Sequence, residues 1–194
     1  MAKSKKDRVV PTLPPLRDDT ILGIDQSLTH TALRVFGELY QPQHGDSAAI
    51  KTKPEAFADE LSRLEYIEQQ ALTWIDNWQP SLVAMEGYSF SKNGMAALGE
   101  LGGVLKMAIY RRAIPLLIVP PFTLKKFTTG SGSAPKETMM MEVLSKWGFR
   151  SKDNNEADAY ALARFGQAFA GGPATWTKAF AELALGVELK VRAK

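Results

Sequence analysis

The chain has no cysteine among its 194 residues and only two histidines, His30 and His44. The first absence excludes disulfides, thiolate zinc sites and thiol nucleophiles together. The second leaves almost nothing for a multi-histidine metal centre or a Ser–His catalytic pair. No apolar run reaches the ~18–20 residues that a membrane span needs. The opening MAKSKKDRVVPTLPP lacks the apolar stretch of a secretory signal. These absences lead us to expect a soluble, cytoplasmic protein with no membrane partner.

What is present suits one folded domain. Apolar residues make up 45% of the chain and charged residues 23%, which supports a full core and an ordinary soluble surface. The net charge is only +3, but it is unevenly placed. Residues 38–86 hold 3 Lys/Arg against 9 Asp/Glu, whereas residues 91–152 hold 10 Lys/Arg against 3 Glu. Segregation of this kind suits a basic surface for a polyanion set beside an acidic region. A solvated helix face is the plainer alternative.

Residues 1–17 are basic and Pro-rich and read as a flexible arm. Residues 18–170 read as the main domain, and residues 171–194 as a C-terminal extension of it. Strands are expected at 20–25, 29–36 and 47–52, giving an antiparallel opening meander. From 55 to 78 the apolar positions recur with helical spacing until Pro80. A strand at 81–86, a long helix at 93–113 and a strand at 116–119 follow. Helices are then expected at 136–147 and 156–170, with Pro135 suited to a first turn, and the tail after Pro173 has room for one more. The fold class is therefore α/β: an antiparallel meander, then parallel strands, in one mixed sheet flanked by helices.

Three acids stand out by position. Asp25 closes the first apolar strand, Glu86 closes a later one, and Asp158 lies in the first turn of the helix after DNNEADA. Ligands of open α/β sheets gather at the carboxyl ends of strands. Asn155 and Asp158 are three apart and share one face of a helix start. Three or four oxygen ligands without His or Cys suit a hard cation such as magnesium or manganese, and a cation relieves the repulsion of crowded carboxylates. Taken singly, each acid has a plain reading as a turn or helix-cap residue.

The segments Ile21-Leu22-Gly23-Ile24-Asp25-Gln26-Ser27 and Met85-Glu86 are similar to motifs of the RuvC family of Holliday junction resolvases. So are Gly130-Ser131-Gly132-Ser133-Ala134-Pro135-Lys136 and Glu156-Ala157-Asp158-Ala159-Tyr160-Ala161-Leu162-Ala163. They fall in the family's order across residues 20–168, and Leu98-Gly99 with Gly102-Gly103-Val104 resembles its dimer helix. The short length, basic tail and DNN spelling are similar to phage members. The chain departs from the pattern at Asn155, where the family has Asp or His, and at Gln26, where it has Pro. Neutral Asn supplies a carbonyl ligand but no base.

The resemblance implies an RNase H-like fold and a homodimer that cuts four-way DNA junctions by two symmetric incisions, leaving 5′-phosphate and 3′-hydroxyl ends. It implies two Mg2+ ions per active site, with Mn2+ able to substitute, held by Asp25, Glu86, Asn155 and Asp158. Lys136 matches the family lysine near the phosphate and completes the catalytic set with the three acids. Lys125 and Lys126 are expected on backbone phosphates. Tyr88 and Phe90 are expected to stack on unpaired bases, although core packing suits them equally. An RNase H-like nuclease for flaps or RNA, and a non-catalytic junction-binding protein, are the alternatives.

Overall fold

Two buried apolar runs, each closed by an acid, lie side by side at the centre of the sheet. They are β1 (Ile21–Asp25) and β4 (Leu82–Glu86), paired in parallel. The computed structural model describes residues 9–37, 47–87 and 95–192. β2 (His30–Phe36) and β3 (Ser47–Lys51) complete the opening antiparallel meander. On the other side β5 (Leu116–Val119) runs parallel to β4, and β6 (Glu188–Lys190) closes the edge antiparallel to β5. The order is β3-β2-β1-β4-β5-β6, the mixed sheet expected, with an added C-terminal edge strand.

Six α-helices lie among the described residues. α1 (Glu60–Trp78) and α2 (Met95–Arg111) enter the crossovers to β4 and β5. α3 (Pro121–Thr129), α4 (Lys136–Trp147), α5 (Asn154–Ala170) and α6 (Lys178–Ala184) fill the connection from β5 to β6. Alternating strand residues face two separate cores. Leu22, Ile24, Val83 and Met85 pack with Leu64, Ile67 and Leu105 of α1 and α2. Ile21, Leu82, Ala84 and Val119 pack with Tyr160, Phe165 and Val143 of α5 and α4. Both faces are covered, which is why the central strands read as continuous apolar runs. Val10, Leu13 and Leu16 also meet the second core, so this part of the expected arm is laid against the body. No helix among the described residues is long and apolar enough to cross a membrane.

One expected boundary needs correction, and two elements, α3 and β6, went unread in the sequence. α1 starts at Glu60 rather than near 55, because Pro54–Ala56 forms a 3-10 turn and Asp59 caps the helix reciprocally with Ser62. The nine residues after Pro120, assigned no element from the sequence, form α3, with Pro121 at its first position, where a missing N–H costs nothing. The tail supplies the expected helix and then β6, too short for its alternation to be read.

Candidate active site

The parallel register pairs Ile24 with Met85, so the next residues, Asp25 and Glu86, leave the sheet together. Their carboxyls hydrogen-bond each other. The turn after Asp25 is built by Ser27 and Thr31: the Thr31 hydroxyl donates to the Ser27 carbonyl at 2.6 Å and accepts from the Ser27 N–H at 3.2 Å. Gln26 Nε2 donates to the Glu86 carbonyl at 3.2 Å. It stitches the two strand ends, which is the local use of a residue noted only as a departure from pattern.

The third acid arrives on α5. A Cβ at Gly23 would stand 2.0 Å from the Ala159 carbonyl oxygen, so only glycine lets this helix lie directly on β1. That approach sets Asp158 beside the strand ends, close enough for its charge to act on both Asp25 and Glu86. Asn155 lies one turn earlier. Its Nδ2 donates to the His30 carbonyl at 2.6 Å, which ties α5 to the β1–β2 turn and leaves the Asn155 side-chain oxygen as its remaining acceptor. The contact uses the His30 backbone carbonyl, so it does not depend on the imidazole.

All three acids resist ionisation. Burial holds the Asp25 carboxyl well above the usual carboxylate range, with Glu86 and Asp158 adding repulsion. Glu86 is pushed up to about 7 by burial and then by Asp158. Asp158 is raised to about 6 by burial, against the pull of Lys125 and Lys136. Asp158 Oδ1 is buried without a hydrogen-bond partner. Charge held at such a cost calls for a cation, and the oxygen-only donor set suits a hard one. Among the described residues no three acidic or histidine side chains form a ready-made cage around one ion. Magnesium does not need one, since it keeps water and takes substrate phosphate oxygens beside one or two carboxylates.

Two lysines complete the electrostatics. Lys136 opens α4 after the 130–135 loop, and its charge lowers the affinity of all three acids for protons. Lys125 is half-buried on α3 and acts on Glu86 and Asp158. It therefore belongs to the acid cluster, whereas Lys126 is exposed beside it. The sequence paired these lysines because α3 went unread; Pro121 was the signal that could have separated them. Tyr88 and Phe90 lie outside the described residues.

Comparison with known proteins gives a consistent picture. The family model described as "Crossover junction endodeoxyribonuclease RuvC" matches residues 21–165. The chain is similar to the protein of that name from Rhodococcus jostii, with 34% identity over 151 residues, covering 74% of this chain and 78% of that one. It is also similar to the one from Pseudothermotoga lettingae, with 31% identity over 150 residues, covering 74% and 90%. Among solved structures, Thermus thermophilus RuvC in complex with Holliday junction substrate superposes with a TM-score of 0.65 at 23% identity. That match covers 79% of this chain and 96% of that one, and it supports the RNase H-like fold.

Proposed function

This chain belongs to the RuvC family of crossover junction endodeoxyribonucleases, and we propose that it resolves four-way DNA junctions with Asp25, Glu86 and Asp158 as its metal-binding catalytic acids. One observation carries the assignment. Three acids from three separate elements meet beside two lysines, and their raised proton affinity has no structural benefit. A fold gains nothing from such crowding unless a cation and a polyanion occupy the site.

Bound magnesium, two ions per site, supplies Lewis-acid stabilisation of phosphate oxygens and a water acidic enough to attack. Asp25, Glu86 and Asp158 would hold the metal, with the Asn155 side-chain oxygen as a neutral ligand. Asn155 has no proton affinity at neutral pH, so it orients rather than acting as a base. Lys136 and Lys125 place positive charge where the scissile phosphate gains negative charge, which lowers the barrier when the donors are fixed in advance. Lys126 serves the DNA backbone outside the site. Hydrolysis leaves a 5′-phosphate and a 3′-hydroxyl.

Two symmetric incisions need two equivalent sites, which a C2 homodimer supplies. α2 is suited to form it. A Cβ at Gly99 or Gly103 would meet nothing within 4 Å, and Met107 and Tyr110 are exposed on the same helix. A DNA substrate puts the enzyme in the cytoplasm, the host's if the gene is a phage gene.

The test is incubation with an immobile synthetic four-way junction and magnesium, beside a flap and an RNA–DNA hybrid. The proposal expects paired nicks in the junction and at least about tenfold slower cutting of the others. Equal or faster cutting of flap or hybrid would reassign the substrate, and binding without cutting would make the chain a junction-binding protein.

A further inference from the structure

Phe122 presents 61% of its surface to solvent, although it sits between the elements that carry Lys125 and Lys136. It lies in the first turn of α3, three residues before Lys125 on the same face of the helix. Its ring rests on Gly132 of the loop that leads to Lys136. A Cβ at Gly132 would stand 2.2–2.5 Å from three ring atoms, Cε2, Cδ2 and Cζ. The ring thus bridges the two elements that carry the site lysines, backed by bare loop backbone, with its other side open to water.

A residue that only latched the loop would gain most by being buried, since each exposed part of an aromatic ring forgoes transfer energy. We propose that Phe122 is a stacking platform for the nucleobase next to the scissile phosphate, a substrate-positioning residue that rests on the resolvase reading above. The charge near it selects the occupant: Lys125 and Lys126 lie one turn on along the same helix, and the loop under the ring runs on to Lys136, which together favour a polyanion. A π face accepts any base, and that suits an enzyme reading structure before sequence. Gly132 is the seat that holds the ring rigid.

The experiment uses the full-length protein and a four-way junction carrying 2-aminopurine, a fluorescent base, at successive positions around the incision. Binding is followed in EDTA and single-turnover cutting in magnesium. With wild-type protein, 2-aminopurine at one or two positions beside the cut changes fluorescence at least about twofold on binding. Phe122→Leu, which keeps an apolar residue on Gly132, abolishes that change and lowers cutting at subsaturating enzyme about tenfold. Phe122→Tyr and Phe122→Trp keep both within about threefold. Gly132→Ala, which keeps the ring but pushes it off its seat, behaves like Phe122→Leu. Thermal melts check that each variant is folded. If wild type cuts the junction while Phe122→Leu matches it in fluorescence and rate, the ring is only a loop latch and the inference is wrong. If wild type neither binds nor cuts the junction, the resolvase reading fails and this inference falls with it.

Discussion

Asp25 and Glu86 hydrogen-bond across the ends of two adjacent parallel strands, one pairing step beyond Ile24 and Met85. Two carboxyls in that relationship share a proton at neutral pH unless something positive replaces it. The first two predictions follow from this.

Replacing an acid by its amide keeps shape and removes charge. Asp25→Asn, Glu86→Gln and Asp158→Asn should each cut the cleavage rate at least about a hundredfold, with junction affinity within about threefold because DNA binding comes mainly from Lys and Arg. Single-turnover cleavage and gel-shift titration measure the two quantities. Any variant cutting at the wild-type rate removes that acid from the site.

The same groups set a pH dependence of stability. Unfolded carboxyls titrate near about 4, whereas Glu86 and Asp158 titrate near about 7 and about 6 when folded, and Asp25 is raised as well. The folded state therefore holds more protons between those limits, and stability falls as pH rises through the window. In EDTA the melting temperature should drop by on the order of 5 °C between pH 5 and pH 8. Millimolar magnesium should restore it at pH 8 and do little at pH 5. A melting temperature indifferent to magnesium at pH 8 would remove the cation from the account.

The lysine pair should divide. Lys125→Ala should lower the cleavage rate about a hundredfold with little change in affinity. Lys126→Ala should leave the rate near wild type and reduce the slope of log affinity against log salt by about one. Equal effects from the two variants would place both lysines in one role.

Gly23→Ala tests how α5 delivers Asp158. The added methyl would meet the Ala159 backbone at 2.0 Å, which no side-chain rotation relieves. The stability loss should be on the order of 3 kcal/mol by denaturant titration, with cleavage reduced in the folded fraction. A loss below about 0.5 kcal/mol would mean the helix is not seated as described.

Gly103→Glu tests the dimer. Light scattering of the wild type should give twice the 21.3 kDa chain mass, and the variant should shift towards the monomer and uncouple the two nicks. A monomeric wild type that still makes both nicks would rule the interface out.

Much of this was legible in the sequence, for identifiable reasons. β1 and β4 were readable because both faces are buried, so each is an unbroken apolar run, and the terminal acid breaks the pattern visibly. α4 was readable to the residue because Pro135 and Gly148 bracket it. α3 was missed: nine residues rich in Thr, beginning with the second of two prolines, carry a weak period, and its placement hid the difference between Lys125 and Lys126. The Asn155 bond to the His30 carbonyl and the seat of Phe122 on Gly132 join residues far apart in the chain or on separate elements, and no local pattern encodes such contacts. The closeness of Asp158 to Asp25 depends on one glycine, Gly23, whose reason appears only when α5 is laid on it.

The most direct measurement is incision mapping on an immobile four-way junction in magnesium, with wild type and Asp25→Asn side by side. The account predicts two nicks at symmetry-related positions in opposing strands, with religatable 5′-phosphate ends, and none with Asp25→Asn or in EDTA. Asymmetric or metal-independent cutting by the wild type, or wild-type nicking by Asp25→Asn, would contradict it.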